Sequence, residues 1–273
     1  MAAVPNARHR TGATSFVIPA GWVENVRWLV GRVEDVEILV FERPERAGPW
    51  PAEVAEIAAL GRAQGLTFSV HAPLDLELAS PDRGRRADSV EAAILTARLT
   101  APLSPRALVV HLDAPAREEA EGAGADLEGW RDRAASSLKA LLAEGLSPEV
   151  VCIENLGADL GPAEPLVEQL GLSVALDVGH LARDGVPLEA LLARHLGRAR
   201  LVHWHGTEPG GRDHRSLRHF PRAEGVKLLR ALERAGFEGT LTLEVFREDD
   251  LLDSLEVLEG LRREAFEARE EGE

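Results

Sequence analysis

The chain has 273 residues, 45% of them hydrophobic, one cysteine and a formal net charge of −15 at pH 7. That charge disfavours broad polyanion binding, which relies on Lys and Arg neutralising phosphates, but it leaves room for one small phosphorylated ligand held by metal. A single cysteine excludes an intrachain disulfide and suits a reducing cytoplasm, and no apolar run approaches the roughly 20 residues of a membrane span.

The first dozen residues (MAAVPNARHRTG) are basic without an apolar stretch, so no signal peptide is expected and residues 1–12 read as flexible. Strand and helix then alternate. Thr14–Ile18 reads as the first strand, with a helix near Gly21–Val30; Val36–Phe41 is the second, with a helix over Ala52–Gln64. The third strand, Thr67–His71, leads to a helix near Asp82–Leu99 capped by Ser80 or Asp82. Leu108–Leu112 and a helix over Leu127–Ala143 follow, then Val150–Glu154 with a short helix near Ala163–Leu170. Ser173–Asp177 precedes a helix near Leu188–His195, Arg200–His205 precedes Arg222–Ala235, and Thr240–Val245 precedes a closing helix from Asp249. The strand cores are short, continuous apolar runs, as a sheet covered on both faces requires. Eight such units predict a closed (β/α)8 TIM barrel spanning residues 1–273 as one domain, with 264–273 as an acidic, frayed end. No G-x-G-x-x-G or G-x-x-x-x-G-K turn supports a nucleotide fold instead.

At least six strands end in a possible metal ligand: His71, His111, Glu154, Asp177 with His180, His203 with His205, and Glu244. In a parallel barrel all these ends face one pocket, so imidazoles and carboxylates repeated there point to divalent-metal chemistry. A glutamate after four apolar residues, as at Glu154, suggests a carboxylate bridging two metals. Asp177 could instead cap the next helix, leaving His180 a surface residue. His203 and His205 share one strand face, with Trp204 outward. The loop HWHGTEPGGRDHRSL adds Asp213 and His214, flanked by Arg212 and Arg215, which are candidate phosphate clamps. His9, His195 and His219 lack strand-end context and read as surface residues. Cys152 reads as core, and the cationic stretch Arg83–Arg86 as a solvated helix start.

These motifs carry a resemblance. HAPLDLELASPD, the IEN of strand five and the D-x-x-H of LDVGHLARDG are similar to signatures of the endonuclease IV and xylose-isomerase-like family, over nearly the whole chain. The endonuclease branch has a three-metal site, usually zinc. By that resemblance His71, His111 and Glu154 hold one ion; Glu154, Asp177, His203 and Glu244 a second; His180, Asp213 and His214 a third. Two or three divalent ions are implied, zinc first, with manganese, iron or cobalt as alternatives. The chain departs from that branch in having Asp213 and His214 adjacent rather than in D-x-H, HLD after strand four and EVF after strand eight. These changes fall in substrate-facing loops and imply a different ligand on a retained metal core.

A narrower resemblance, in TSFVIPAGWVENVRWLVGRVEDVEILVFE and HWHG…GRDHRSL, is to the cobamide-remodelling phosphodiesterases. It implies a corrinoid substrate whose nucleotide loop is cut at its phosphodiester, releasing an α-riboside and cobinamide phosphate. Glu154, Glu244, Asp213 and His214 are then the catalytic candidates, and His205, Arg212, Arg215 and Glu42 the substrate contacts. Phe16, Trp22, Trp28, Phe41, Trp50 and Trp204 are available to face a bulky planar ligand, though only one or two are expected to touch it. A one-metal sugar isomerase or epimerase using Glu154, Asp177, His203 and Glu244 is the main alternative, and an apurinic-site endonuclease another.

Overall fold

The computed structural model describes residues 8–44, 50–112, 126–157 and 159–267. Eight strands close in chain order into a parallel barrel: β1 (Arg10–Thr14), β2 (Asp35–Leu39), β3 (Thr67–His71), β4 (Leu108–Val110), β5 (Val151–Glu154), β6 (Ser173–Asp177), β7 (Ala199–Trp204) and β8 (Thr240–Leu243). Between them run α1 (Trp22–Leu29), α2 (Trp50–Gln64), α3 (Arg83–Thr100), α4 (Leu127–Leu142), α5 (Glu164–Leu170), α6 (Val178–Arg183), α7 (Leu188–His195) and α8 (Arg222–Arg234), with α9 (Glu248–Glu267) closing the chain. The expected TIM barrel is present. Among the described residues no helix is long and apolar enough to cross a membrane.

By compactness the chain divides into residues 37–175 and residues 1–36 with 176–273. In the 37–175 unit, β3, β4 and β5 pair in parallel, with His71 opposite Val109 and Val110 opposite Ile153. Val70, Val109, Val110 and Ile153 are fully buried, the two-sided burial that makes these strands continuous apolar runs. Asp82 and Asp126 cap α3 and α4 by accepting from the backbone N–H groups of Arg85 at 3.0 Å and Gly129 at 2.8 Å. Cys152 is buried, as expected. The exposed Arg83 and Arg85 likewise agree with a solvated helix start.

In the other unit β1 and β7 flank β8, with Ala13 opposite Leu243 and Trp204 also opposite Leu243. Trp204 points away from the strand-end histidines and is buried edge-on against Phe220, ring centres 5.4 Å apart. The first strand corrects the sequence reading. It runs over Arg10–Thr14 and ends where the expected strand Thr14–Ile18 begins, residues 15–18 instead leaving the barrel through bends. The reason lies in Gly12, where a Cβ would meet Thr240 Cγ2 at 2.7 Å. Close backbone approach selects glycine and small neighbours, so RTGAT lacks the branched apolar signature of a strand. Residues 8–12 therefore belong to the fold, while 1–7 and 268–273 lie outside the described residues. His9 and His195 are also corrected: both are buried, His9 just before β1 beside Phe237 and Arg262 of α9, and His195 at the end of α7. His219 is exposed, as read.

Candidate metal centres

The 37–175 unit holds one donor set. His71 ends β3, His111 follows β4 and Glu154 ends β5, so three neighbouring parallel strands deliver them to one place. Both imidazoles address one oxygen: His71 Nε2 lies 3.2 Å and His111 Nε2 2.8 Å from Glu154 Oε2. The two rings meet edge-on, centroids 4.9 Å apart. His71 Nδ1 lies 2.8 Å from the Ala72 carbonyl, which can only accept, so Nδ1 carries a proton. In the neutral ring Nε2 then offers a lone pair beside a carboxylate, a pair of donors that a divalent cation would join. A carbonyl fixing the far nitrogen is also how metal-ligating histidines are oriented. These residues fit a divalent ion.

The other unit holds a histidine-rich set. Asp177 closes β6 and caps α6, its Oδ1 accepting from the His180 backbone N–H at 2.8 Å while its Oδ2 lies 2.5 Å from His180 Nδ1. The capping role and the candidate ligand role thus fall on one carboxylate. His180, His205 and His214 stand together, with ring centres 4.9 Å (180–205), 4.2 Å (205–214) and 5.2 Å (180–214) apart. Asp177, His205 and Glu244 form an overlapping buried group. Burial, then the neighbouring His205, lowers the His214 pKa to about 4. Burial also opposes charge on His180, but the Asp177 hydrogen bond and charge prevail and hold it above the usual histidine value.

Neutral imidazoles are what a metal requires, and His205 is placed to offer one. Its Nε2 is buried with no hydrogen-bond partner among the described residues, 3.6 Å from Asp177 Oδ1. Its Nδ1 can donate to the Gly206 carbonyl at 3.2 Å or accept from the His214 backbone N–H at 3.1 Å. The first tautomer leaves the Nε2 lone pair for a cation.

Packing explains how His205 gets there. A Cβ on Gly179 would lie 2.4 Å from the His205 ring, so the glycine of LDVGH makes the space that this imidazole fills. His214 has φ +51, a backbone conformation uncommon outside glycine. Its surroundings over-determine it. Gly206 and Arg215 exchange backbone hydrogen bonds at 2.8 and 3.0 Å, and Asp250 of α9 accepts from Arg215 Nε at 2.9 Å and the Ser216 N–H at 3.1 Å.

The remaining candidates are placed as follows. His203 is buried, Nδ1 3.8 Å from Glu244 Oε2. Asp213 Oδ2 lies 3.4 Å from His180 Nε2 and accepts from Arg183 Nη1 at 2.7 Å. Burial works against its charge, but Arg183 and the nearby histidines hold the carboxyl below the usual range. Arg215 is engaged by Asp250 and by Glu208 at 3.1 Å, whereas Arg212 is exposed, 3.6 Å from Glu208. Glu42 is exposed just beyond β2. Sequence reasoning does not single out Arg183, which follows His180 by three residues. Reading LDVGHLARDG as a turn hides it; as helix α6, the i,i+3 spacing sets both side chains on one face.

Residues 33–263 match the family model described as xylose isomerase-like TIM barrel. No curated protein matches the chain. Among solved structures, a D-tagatose 3-epimerase-like protein is 18% identical with a TM-score of 0.72, covering 95% of this chain and 99% of that one. Endonuclease IV from Thermus thermophilus is 22% identical with a TM-score of 0.67, covering 94% and 100%. The IOLI protein with a binding zinc atom is 12% identical with a TM-score of 0.68, covering 95% and 98%. At such identities the likeness is one of fold.

Proposed function

The chain belongs to the xylose isomerase-like TIM barrel family, and from that premise we propose that it is a metal-dependent phosphodiesterase acting on the nucleotide loop of a cobamide. Water adds across the phosphodiester, giving an α-riboside and cobinamide phosphate. The observation that carries this reading is that ligand sets form twice, one around Glu154 and one around the three histidines, more donors than a single ion employs. A sugar epimerase working through one ion would have no use for the second set.

In this proposal His71, His111 and Glu154 hold one divalent ion, while Asp177, His203, His205 and Glu244, with His180, Asp213 and His214, hold one or two more. Neutral imidazoles mixed with carboxylates suit zinc, and manganese, iron or cobalt can replace it. Bound there, the ions supply Lewis acidity, acidifying water and withdrawing charge from phosphoryl oxygen. Glu154, or Glu244, orients the attacking water beside its ligand role, and Asp213 and His214 are the residues assigned to charge on the leaving group. Among the aromatic residues considered for a bulky planar ligand, Phe16 is 44% and Phe41 47% exposed, each in its own unit just past a strand end, while Trp50 and Trp204 are core. The charge of −15 supports a small-molecule substrate over nucleic acid.

Metal analysis of the purified protein, paired with mass spectrometry of a cobamide incubation against a chelator-treated control, tests the proposal. Two or three ions per chain and release of cobinamide phosphate are expected. One ion per chain with turnover of a ketose and an intact corrinoid would move the protein to the isomerases. Nanomolar binding of an abasic duplex with a steep salt slope would move it to the endonucleases.

A further inference from the structure

We propose that Arg183 is a phosphate-binding residue, its guanidinium held beside the histidine-rich cluster to take an anionic oxygen of the substrate; this rests on the phosphodiesterase reading and names the group that selects a phosphorylated ligand. Arg183 ends α6, one turn after His180. Asp184 fixes its side-on edge with two bonds, Nε to Oδ1 at 2.7 Å and Nη2 to Oδ2 at 3.1 Å. A fork held on one edge presents the other in a set direction, and that end-on edge faces Asp213, with Nη1 2.7 Å from Oδ2. The same Oδ2 is 3.4 Å from His180 Nε2, so one carboxylate oxygen separates the guanidinium from the imidazoles.

The arrangement differs from a plain surface ion pair. Asp213 stands between two cationic claims, Arg183 on one side and whatever the histidines hold on the other. Nε, Nη1 and Nη2 each donate once to a carboxylate, which leaves one N–H on each terminal nitrogen for a second oxyanion, and planar forks match phosphate oxygens. The side chain is partly open to solvent, so a ligand can reach it. Of the other arginines of this region, Arg215 is also held by two carboxylates, Asp250 and Glu208, but is more covered than Arg183, with 15% of its side chain exposed against 33%, and Arg212 projects outward. A sugar has no charge for such a fork to read.

The test is calorimetric titration of zinc-loaded protein with inorganic phosphate, with metal content measured alongside. Wild type should bind phosphate, Arg183→Gln should bind it about tenfold or more weakly, and Arg183→Lys should fall between, at equal metal content. Equal affinity in wild type and Arg183→Gln, or no binding by wild type, would overturn the assignment. Should Arg183→Gln shed metal, Arg183→Lys decides, because it keeps the charge beside Asp213 and loses only the fork; wild-type phosphate affinity in that variant refutes the site. Hydrolysis of bis(p-nitrophenyl) phosphate separates this inference from the reaction it rests on. Arg183-dependent phosphate binding without diester cleavage under any divalent metal leaves the anion site standing and removes the reaction. Diester cleavage whose KM is indifferent to Arg183→Gln does the reverse.

Discussion

The two donor sets are built by different means. In the 37–175 unit the ligands sit on or just after strand ends, and both imidazoles converge on one oxygen of Glu154. In the other unit they sit on a strand end, on helix α6 and on the loop after β7, and three imidazoles crowd one another within 5.2 Å. The first set takes its precision from the ladder, since β4 and β5 are held in register by their backbone. The second takes it from side-chain packing and a strained turn, which a single distant substitution can release. The first should therefore fail only when a ligand is removed, whereas the second should fail through its supports as well.

Glu154→Gln is the sharpest test of the strand-borne set. Replacing the shared oxygen acceptor by an amide leaves shape intact and removes the charge that both imidazoles address. Activity should fall by roughly 10²–10³-fold, the range for losing one preorganised electrostatic contact. Metal content should drop while the thermal midpoint of the apo-protein changes little. Full metal occupancy with unaltered turnover would refute the role.

Gly179→Ala tests the packing-borne set without touching a ligand. One methyl group placed 2.4 Å from the His205 ring must push it away from Asp177 and His214. We expect a cost of about 1–3 kcal/mol from overpacking and a loss of roughly 10–100-fold in metal affinity, the usual scale for disturbing a ligand's support. The loss should be confined to the ions of the histidine-rich set, so cobalt-substituted protein should lose part of its ligand-field spectrum and keep the rest. Uniform loss of all metal would mean that the two sets are not independent.

The contrast also explains what the sequence discloses. Strand-borne ligands are legible because TFSVH and VVCIE announce both the strand and its last residue. β3 and β6 are legible to the residue for the same reason. The supports of the second set are not legible. Gly179 matters only through the His205 ring, 26 positions later. Asp250 clamps the β7 loop from 35 residues away. Arg183 becomes meaningful once α6 is seen to be a helix. Sequence pattern misplaces β1 because its tight contact with β8 selects glycine and threonine where a strand pattern calls for branched apolar residues.

The smallest expected effect on the donor sets comes from His9, a histidine that belongs to neither. Burial, and then the nearby Arg262 charge, lowers its pKa from 6.5 to about 4. Arg262 Nη2 lies 3.2 Å from His9 Nε2 and donates to Thr11 Oγ1 at 2.8 Å, which suits a neutral ring accepting from the arginine. In the unfolded chain the ring protonates near 6.5, while in the fold it stays neutral until about pH 4, so between these values the unfolded state binds more protons. Stability from this group is thus fully present above about pH 6.5 and is lost as pH falls toward 4, by about 1–3 kcal/mol in all. Urea titrations of wild type and His9→Gln across this range should show a steeper acid-side loss in wild type, with phosphate binding and metal content at neutral pH the same in both. Parallel stability curves would place His9 among the exposed, ordinary histidines.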